Sequence, residues 1–517
     1  MRKFLKQLFK ALLLLSLALF ALAWLGISRP VPLPAAVSRA DSLLISNAQL
    51  VDLESGLIAA DTQVMVRDGI ITAVGPRLDQ NTAAQQLDAG GAYLIPGLFD
   101  MHVHSLKLSP VLHHPLYIAA GVTAVRDMGG CLGAEDPWLA CVDDKRAWNL
   151  AADAAAKVTP RYDVVTSLPV DGGAEIPAGF NPALGAADAD GARQRAAFDR
   201  ARGLDFIKPY SSLSRESYLA LAQAASANGL YLAGHKPLAV SGLEAVAAGQ
   251  RSIEHAFLFI WECFPAIDEL RQRSSVRAIY NNDMRQRMIA EHSDSLCQSL
   301  HAAMASKGTA LVPTHTTRKL DAYASDSEFR SDPRLRYIPA PLQQLWLGDA
   351  DGMSARAGPG GQESYREFYR FGIRQTGIAH AAGVTILAGT DAPDSFVFPG
   401  SSLHDELDHL VAAGLSPLEA LRAATVEPAR FLGLEGKAGS IQVGARADMV
   451  LLQENPLDDI RAVRSIESVV LAGAVYDRAA LDELLAEVET TAGRWDMWPK
   501  FLWQALNSPI MRRQFAD

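Results

Sequence analysis

Leu94-Ile-Pro-Gly-Leu-Phe-Asp-Met-His-Val-His104 is the stretch that decides how this chain is read. An apolar run climbs to two histidines one residue apart. Side chains alternate faces along a strand, so His102 and His104 point the same way from its end. Two imidazoles so placed suit a single metal ion. Alone, the pair reads equally well as two solvated strand histidines, because so short a motif recurs by chance.

Outward from that stretch, strands and helical patterns alternate, which favours a parallel sheet. Eight candidate strands fall near 97–103, 122–127, 162–167, 204–209, 230–234, 251–255, 309–313 and 384–390. Arg215 to Asn228 is a clear amphipathic helix between two of them, stopped by Gly229. Eight such units over roughly 330 residues fit a TIM barrel, a (β/α)8 fold, with insertions. The insertions run from Phe264 to Gly308 and from Thr316 to Gly372, the second containing Ala357-Gly-Pro-Gly-Gly361. Long segments on the carboxyl face of a barrel usually cover its active site. Both ends of the chain read as short strands instead, including Leu43–Val51, Gln63–Arg67, Ile70–Val74, Ala447–Leu452 and Ile466–Leu471. One small β-domain built from both ends, with the barrel inserted, is the simplest assembly.

The strand ends carry the chemistry. Leu204-Asp-Phe-Ile-Lys-Pro209 holds Lys208 inside an apolar strand, and Tyr231-Leu-Ala-Gly-His235 ends in His235. Ser252-Ile-Glu-His255 ends in His255, and Ile386-Leu-Ala-Gly-Thr-Asp391 in Asp391. Each alone has an ordinary explanation: a snorkelling lysine, a satisfied core histidine, a solvated loop, a helix cap. Six such residues at the carboxyl ends of barrel strands change that reading, because barrel enzymes place their chemistry there. One metal with an open position takes about three protein ligands, so six point to two metals. An ammonium ion cannot ligate a cation. Burial lowers a lysine's pKa, the neutral amine captures carbon dioxide, and the resulting carbamate can bridge two cations.

The chain has 517 residues and a net charge of −10, with 49% apolar and 21% charged residues. The acidic balance argues against nucleic acid as the main partner. Arg2, Lys3, Lys6 and Lys10 precede an uncharged run from Ala11 to Ile27. That is the shape of an export signal, at the lower limit for a spanning helix and long for a signal core. Ala21-Leu-Ala23 lies inside the apolar run, before Trp24, and no lipid-attachment cysteine follows, which puts an uncleaved anchor slightly above a cleaved signal. The basic flank stays in the cytoplasm and the remainder lies outside, periplasmic or extracellular. Arg29-Pro-Val-Pro-Leu-Pro34 reads as a stiff spacer. Four cysteines fit an oxidising compartment, with their pairing open among three connectivities.

Taken together these features resemble the amidohydrolase superfamily, in its imidazolonepropionase-like and prolidase-like branch. The resemblance covers residues 42–480. It rests on Ile95 to His104, Gly121-Val-Thr-Ala-Val-Arg-Asp127, Phe206-Ile-Lys208, Gly234-His235, Ile253-Glu-His255 and Gly389-Thr-Asp391. It extends to Ala420–Leu432 and Gly439–Val450. It implies a distorted (β/α)8 barrel with a β-sandwich built from both termini, and two divalent metal ions, zinc by preference. The buried metal would take His102, His104, carbamylated Lys208 and Asp391. The second would take Lys208, His235 and His255. A bridging hydroxide would attack, and Asp391 would accept its proton and pass it to the leaving atom. The lysine speaks against the mononuclear deaminases of the superfamily.

Tyr210, two residues beyond the lysine, and His315, ending Leu311-Val-Pro-Thr-His315, are the candidate substrate contacts. His113, His114, His292, His301, His380, His404 and His409 read as non-ligands, His404 being the best exception. Prolidase-like relatives often carry a histidine after a glycine pair on strand three; Val170-Asp-Gly-Gly-Ala-Glu175 lacks it. That puts a simple dipeptidase in doubt. The expected organisation is an anchor or signal at 1–28, a linker at 29–41, β-sandwich segments at 42–95 and 436–480, and the barrel at 96–435. A helical, aromatic-rich extension at 481–517 would pack on the barrel. The expected activity is hydrolysis of an amide or cyclic amide of a small molecule. An esterase, lactonase or dipeptidase on the same site is the alternative, and a silent barrel used as a scaffold the non-enzyme rival. A membrane tether through residues 11–27 is expected; homo-oligomerisation is left open.

Overall fold

The strand Leu98–Val103, which leads to the paired histidines, is buried at every position and pairs in parallel with Val122–Asp127. The computed structural model describes residues 2–78, 83–131, 136–172, 185–256, 261–271, 281–357, 361–509 and 511. Within them the fold is a TIM-barrel-like α/β fold. Phe206–Ile207 pairs in parallel with Tyr231–Gly234, that strand with Gln250–Glu254, and that one with Ala310–Val312. Parallel bridges continue from Leu311 to Ile386 and from Ala392 back to Val103. Six of the eight expected strands are therefore regular and begin within a residue or two of their predicted places.

The other two are irregular. Just before the stretch predicted as a strand at 162–167, Arg161 O accepts from Val125 N and Arg161 N donates to Thr123 O; within the stretch Asp205 N donates to Val165 O. Pro160 and Pro169 bracket it, and neither can donate to a ladder. Segment 384–390 is held by Leu311 N donating to Thr385 O and Met101 N to Ala388 O.

Helices pack outside the strands. Arg215–Ala227 is capped by Ser214, whose side chain accepts from Ser217 N, and it buries Tyr218, Leu221, Ala222 and Ala225. Gly229 then turns the chain at φ +70°, a conformation that favours glycine.

Strands from the two chain ends hydrogen-bond into one eight-stranded sheet, where a two-sheet sandwich was expected. Tyr93–Pro96 is the seam: it pairs with Ser42–Asp52 on one side and Met449–Leu452 on the other. Leu43, Val64, Ile71, Leu94, Met449 and Val475 share one apolar cluster. Partly buried ion pairs fix this sheet to the barrel-like part. Arg161 Nε lies 2.7 Å from Asp448 Oδ2, and Arg446 binds both oxygens of Asp163 at 2.6 and 2.9 Å.

Disulfides join Cys131 to Cys141 and Cys263 to Cys297. The second insertion is largely helical, with Ala340–Ala357 and Gly361–Ala381 as its long members. Leu342, Trp346 and Ala350 pack with Leu106, Phe396 and Phe398, so the insertion leans on the loops that follow the first and last barrel strands. Arg2–Ser28 forms one helix long and apolar enough to cross a membrane. Arg478–Ala492 buries Leu481, Leu484 and Val488, as their spacing predicts.

Two buried histidines outside the strand-end cluster should make the fold acid-sensitive. Burial pushes His113 and His404 down to about 4, from an ordinary 6.5. The unfolded chain binds these protons near 6.5, whereas the folded chain refuses them until about 4. Stability therefore falls as pH drops through that window, by up to about 3 kcal/mol for each histidine. His404 Nε2 lies 2.9 Å from Ala120 O, and a glutamine amide can replace that donor. Urea midpoints of His404→Gln should decline less steeply than those of the parent between pH 6.5 and 4. Equal slopes would remove His404 as a source of the effect.

Candidate active site

The carboxyl ends of the strands bring His102, His104, Lys208, His235, His255 and Asp391 together. Lys208 Nζ lies 3.2 Å from His102 Nε2 and 3.4 Å from His104 Nε2. Asp391 Oδ1 lies 3.3 Å from His102 Nε2 and 3.1 Å from His104 Nε2. Its other oxygen is 3.8 Å from His255 Nδ1. The His255 ring sits 4.8 Å from that of His102 and 4.6 Å from that of His235. His102, His255 and Asp391 each offer a ligand atom within 4.8 Å of the others.

Close approach of the strands demands two of the motif glycines. A Cβ at Gly234 would lie 2.8 Å from Lys208 Cγ and 2.7 Å from Pro209 O. One at Gly389 would lie 2.9 Å from His102 N and 2.7 Å from Val312 Cγ1. The lysine stem and the histidine backbone occupy that space. His255, Thr314 and Asp391 end their strands at φ +66°, +46° and +70°. Each such non-glycine residue costs about 1–3 kcal/mol, and such strain collects at functional sites.

Three of the four imidazoles are oriented by a partner. Glu254 Oε2 lies 2.8 Å from His102 Nδ1, Ser211 Oγ 2.8 Å from His235 Nδ1, and Thr314 Oγ1 2.7 Å from His255 Nδ1. Arg126 lies behind Glu254, donating to Glu254 Oε1 at 2.8 Å, Ser252 Oγ at 2.9 Å and Met101 O at 2.7 Å. Asp100 accepts from His102 N, Thr390 N and Thr390 Oγ1, tying the first strand to the last.

Burial governs the charges. It pushes His102 down to about 4 and His235 and His255 well below their ordinary value, so their lone pairs stay free. Burial likewise lowers Lys208, only 2% exposed, toward the neutral amine. The Asp391 carboxyl is pushed up by burial, but His102, His104 and His255 outweigh that and hold it well below the usual carboxylate range. Glu254 is also pushed up by burial and brought below its ordinary value by Arg126 and His102.

Tyr210 and His315 part company. The Tyr210 ring stacks on His235 at 4.1 Å and is 37% exposed. His315 is buried, its Nε2 lies 3.0 Å from Thr376 Oγ1, and its ring faces His409 at 6.0 Å. Its ring thus lies against the helices Gly361–Ala381 and Ser401–Ala412. Segment 173–175 lies outside the described residues. Sequence reasoning passed over Glu254, Arg126, Ser211 and Thr314. The signal for the first two was present: charged residues inside otherwise apolar strands.

Residues 347–475 match the Amidohydrolase family. An ochratoxinase of Aspergillus niger is 38% identical over 90 residues, 17% of this chain and 18% of that protein. The aligned stretch thus spans under a fifth of that curated relative. Solved structures match at far greater length. A bottromycin amidohydrolase superposes with a TM-score of 0.68 at 22% identity, covering 91% of this chain and 93% of that one. A Xaa-Pro dipeptidase with methionine in its active site gives 0.59 at 19%, covering 84% and 100%. At these identities the structural likeness speaks for the fold. The family match over residues 347–475 agrees with the resemblance to the amidohydrolase superfamily that the strand-end motifs carry.

Proposed function

We propose that the protein is an exported, metal-dependent hydrolase that cleaves a C–N bond of a small amide, cyclic amide or acylated amino acid. The observation that carries this is the buried Lys208 amine between His102 and His104, opposite Asp391. An ammonium ion there would face the His102 imidazole, which burial holds neutral, and would repel any cation at the site. Carbamylated, the same side chain carries a carboxylate, and the donor set fits two divalent cations. His102, His104, Lys208 and Asp391 would hold one; Lys208, His235 and His255 the other. The cations, zinc by preference, would acidify water and polarise the scissile carbonyl.

The remaining roles belong to the chain itself. Asp391 Oδ1 lies against His102 and His104, so Oδ2 is the oxygen placed to take a proton from the attacking water. It then passes that proton to the leaving nitrogen. Tyr210 meets the substrate beside His235. The domains run as the sequence suggests: a barrel over 96–435, with segments 42–95 and 436–480 as the β-domain. Residues 11–27 tether it to the membrane, in keeping with the exposed apolar side chains of that helix and the two disulfides.

Metal analysis of the purified protein should find about two equivalents per chain. Turnover should be faster on N-acyl amino acids, dipeptides or hydantoins than on matched esters and lactones. Less than one equivalent, or a preference for esters, overturns the reading. Glu254→Gln should weaken metal binding by about 10–100-fold, because the ligand His102 loses its charged partner. Titration of the metal-stripped protein measures this, and unchanged affinity would show that His102 needs no such support.

A further inference from the structure

The helix Met497–Asn507 presents a face that the barrel does not use. Met497 and Phe501 are buried, and the Phe501 ring meets Trp138 at 5.3 Å. On the other side Trp498 is 50% exposed and Trp503 43%, with Leu502 and Leu506 exposed between and beyond them. Trp495, just before the helix, is 45% exposed. At 100° per residue these five side chains form one continuous strip. The only charged residue of the helix, Lys500, lies on the opposite side and is buried. An aromatic segment expected to pack on the barrel is therefore half turned outward.

That helix is also fastened to the root of the N-terminal apolar helix. Lys500 Nζ donates to Gly26 O at 2.7 Å, to Ile27 O at 2.9 Å and to Arg29 O. The last carbonyls of a helix have no partner within it, and here one buried ammonium group serves them. A Cβ at Gly26 would lie 2.5 Å from the Pro499 ring and 3.1 Å from that of Trp495. The glycine lets the two helices touch. Trp24 and Leu25, adjoining that contact, are exposed as well. The tryptophan strip thus starts where the apolar helix meets the folded domain.

We propose that the helix Met497–Asn507 lies on the surface of a lipid bilayer. It would insert Trp495, Trp498, Leu502, Trp503 and Leu506 at headgroup depth as a second membrane contact beside the N-terminal helix. Tryptophan prefers that depth because its ring is apolar and its N–H polar. An uncharged apolar strip on a helix lying in the interface plane is the matching surface. The inference rests on the reading of residues 11–27 as inserted in the membrane. It adds that Lys500 locks the two contacts into one rigid unit, which fixes the barrel's orientation over the bilayer.

The test uses the full chain, whose four cysteines are all paired. Trp498→Cys, Leu502→Cys, Leu14→Cys and Leu150→Cys each add one thiol at an exposed position for a nitroxide label. The labelled proteins are reconstituted into phosphatidylcholine–phosphatidylglycerol vesicles. Collisions with oxygen and with a water-soluble nickel chelate are then compared by electron paramagnetic resonance. Labels at 498 and 502 should lose most of their collisions with the chelate and gain them with oxygen, at a shallower depth than 14. The label at 150 should stay open to the chelate. If 498 and 502 are as open as 150 while 14 is in lipid, the surface contact is overturned and the anchor stands. A label at 14 in water overturns both. Shielding at 498 and 502 accompanied by dipolar broadening between labels would mean a second copy covers the strip, and overturns the proposal.

Discussion

Lys208→Met should strip the protein of bound metal, leaving less than one equivalent, and lower kcat/KM by about 10²–10³-fold or more. That is the scale on which loss of a preorganised charge-stabilising group acts. The argument is one of charge. Among the six convergent residues Asp391 is the only carboxylate, and burial holds His102, His235 and His255 neutral. Two dications facing that set see a single negative charge. A carbamate on Lys208 supplies the second, from a side chain 3.2 and 3.4 Å from two imidazole nitrogens. Methionine keeps the bulk and the apolar contacts but carries no charge. Lys208→Glu keeps a carboxylate with shorter reach, and should recover part of the metal content that methionine loses. Equal metal content in parent and methionine variants would refute the carbamate on Lys208, and one equivalent in both would leave a one-metal hydrolase in place.

The candidate cluster was legible because its logic is short-range. Strand parity puts His102 and His104 on one face, and a barrel puts strand ends at one mouth. The same parity placed Tyr210 beside Lys208, and its ring does stack on His235. His315 opens a helix instead of ending a strand. Its side chain follows the helical direction, toward Thr376. The irregular third segment escaped notice since hydrophobic pattern does not report that prolines at 160 and 169 interrupt a ladder. The partners that orient the imidazoles were hidden for a different reason. Glu254, Ser211 and Thr314 are ordinary polar residues whose meaning depends on neighbours 24 to 152 residues away. Likewise, no periodicity tells which side of an aromatic helix meets the barrel. Apolar spacing on Met497–Asn507 is as consistent with burial as with exposure, and Lys500's grip on the first helix decides it.

Arg126→Met should destabilise the metal-free protein by roughly 3–5 kcal/mol, the range seen when one partner of a buried ion pair is removed. Arg126 and Glu254 are both fully buried, 2.8 Å apart. The guanidinium also serves Met101 O and Ser252 Oγ, and lies 5.1 Å from the centre of the Phe431 ring. Methionine fills much of the volume, so the loss comes from the Glu254 carboxylate left without its cation and from two orphaned acceptors. Burial would then push the Glu254 carboxyl up until it takes a proton. Protonated, it holds His102 less firmly, so metal affinity should fall together with stability. Arg126→Met combined with Glu254→Gln separates the two effects. The neutral amide needs no cation, so the double variant should regain much of the stability while its metal affinity stays low. Denaturant midpoints of the metal-free proteins give the first quantity and metal titration the second. If the double variant is no more stable than Arg126→Met, the arginine acts by packing alone and not through the charge of Glu254.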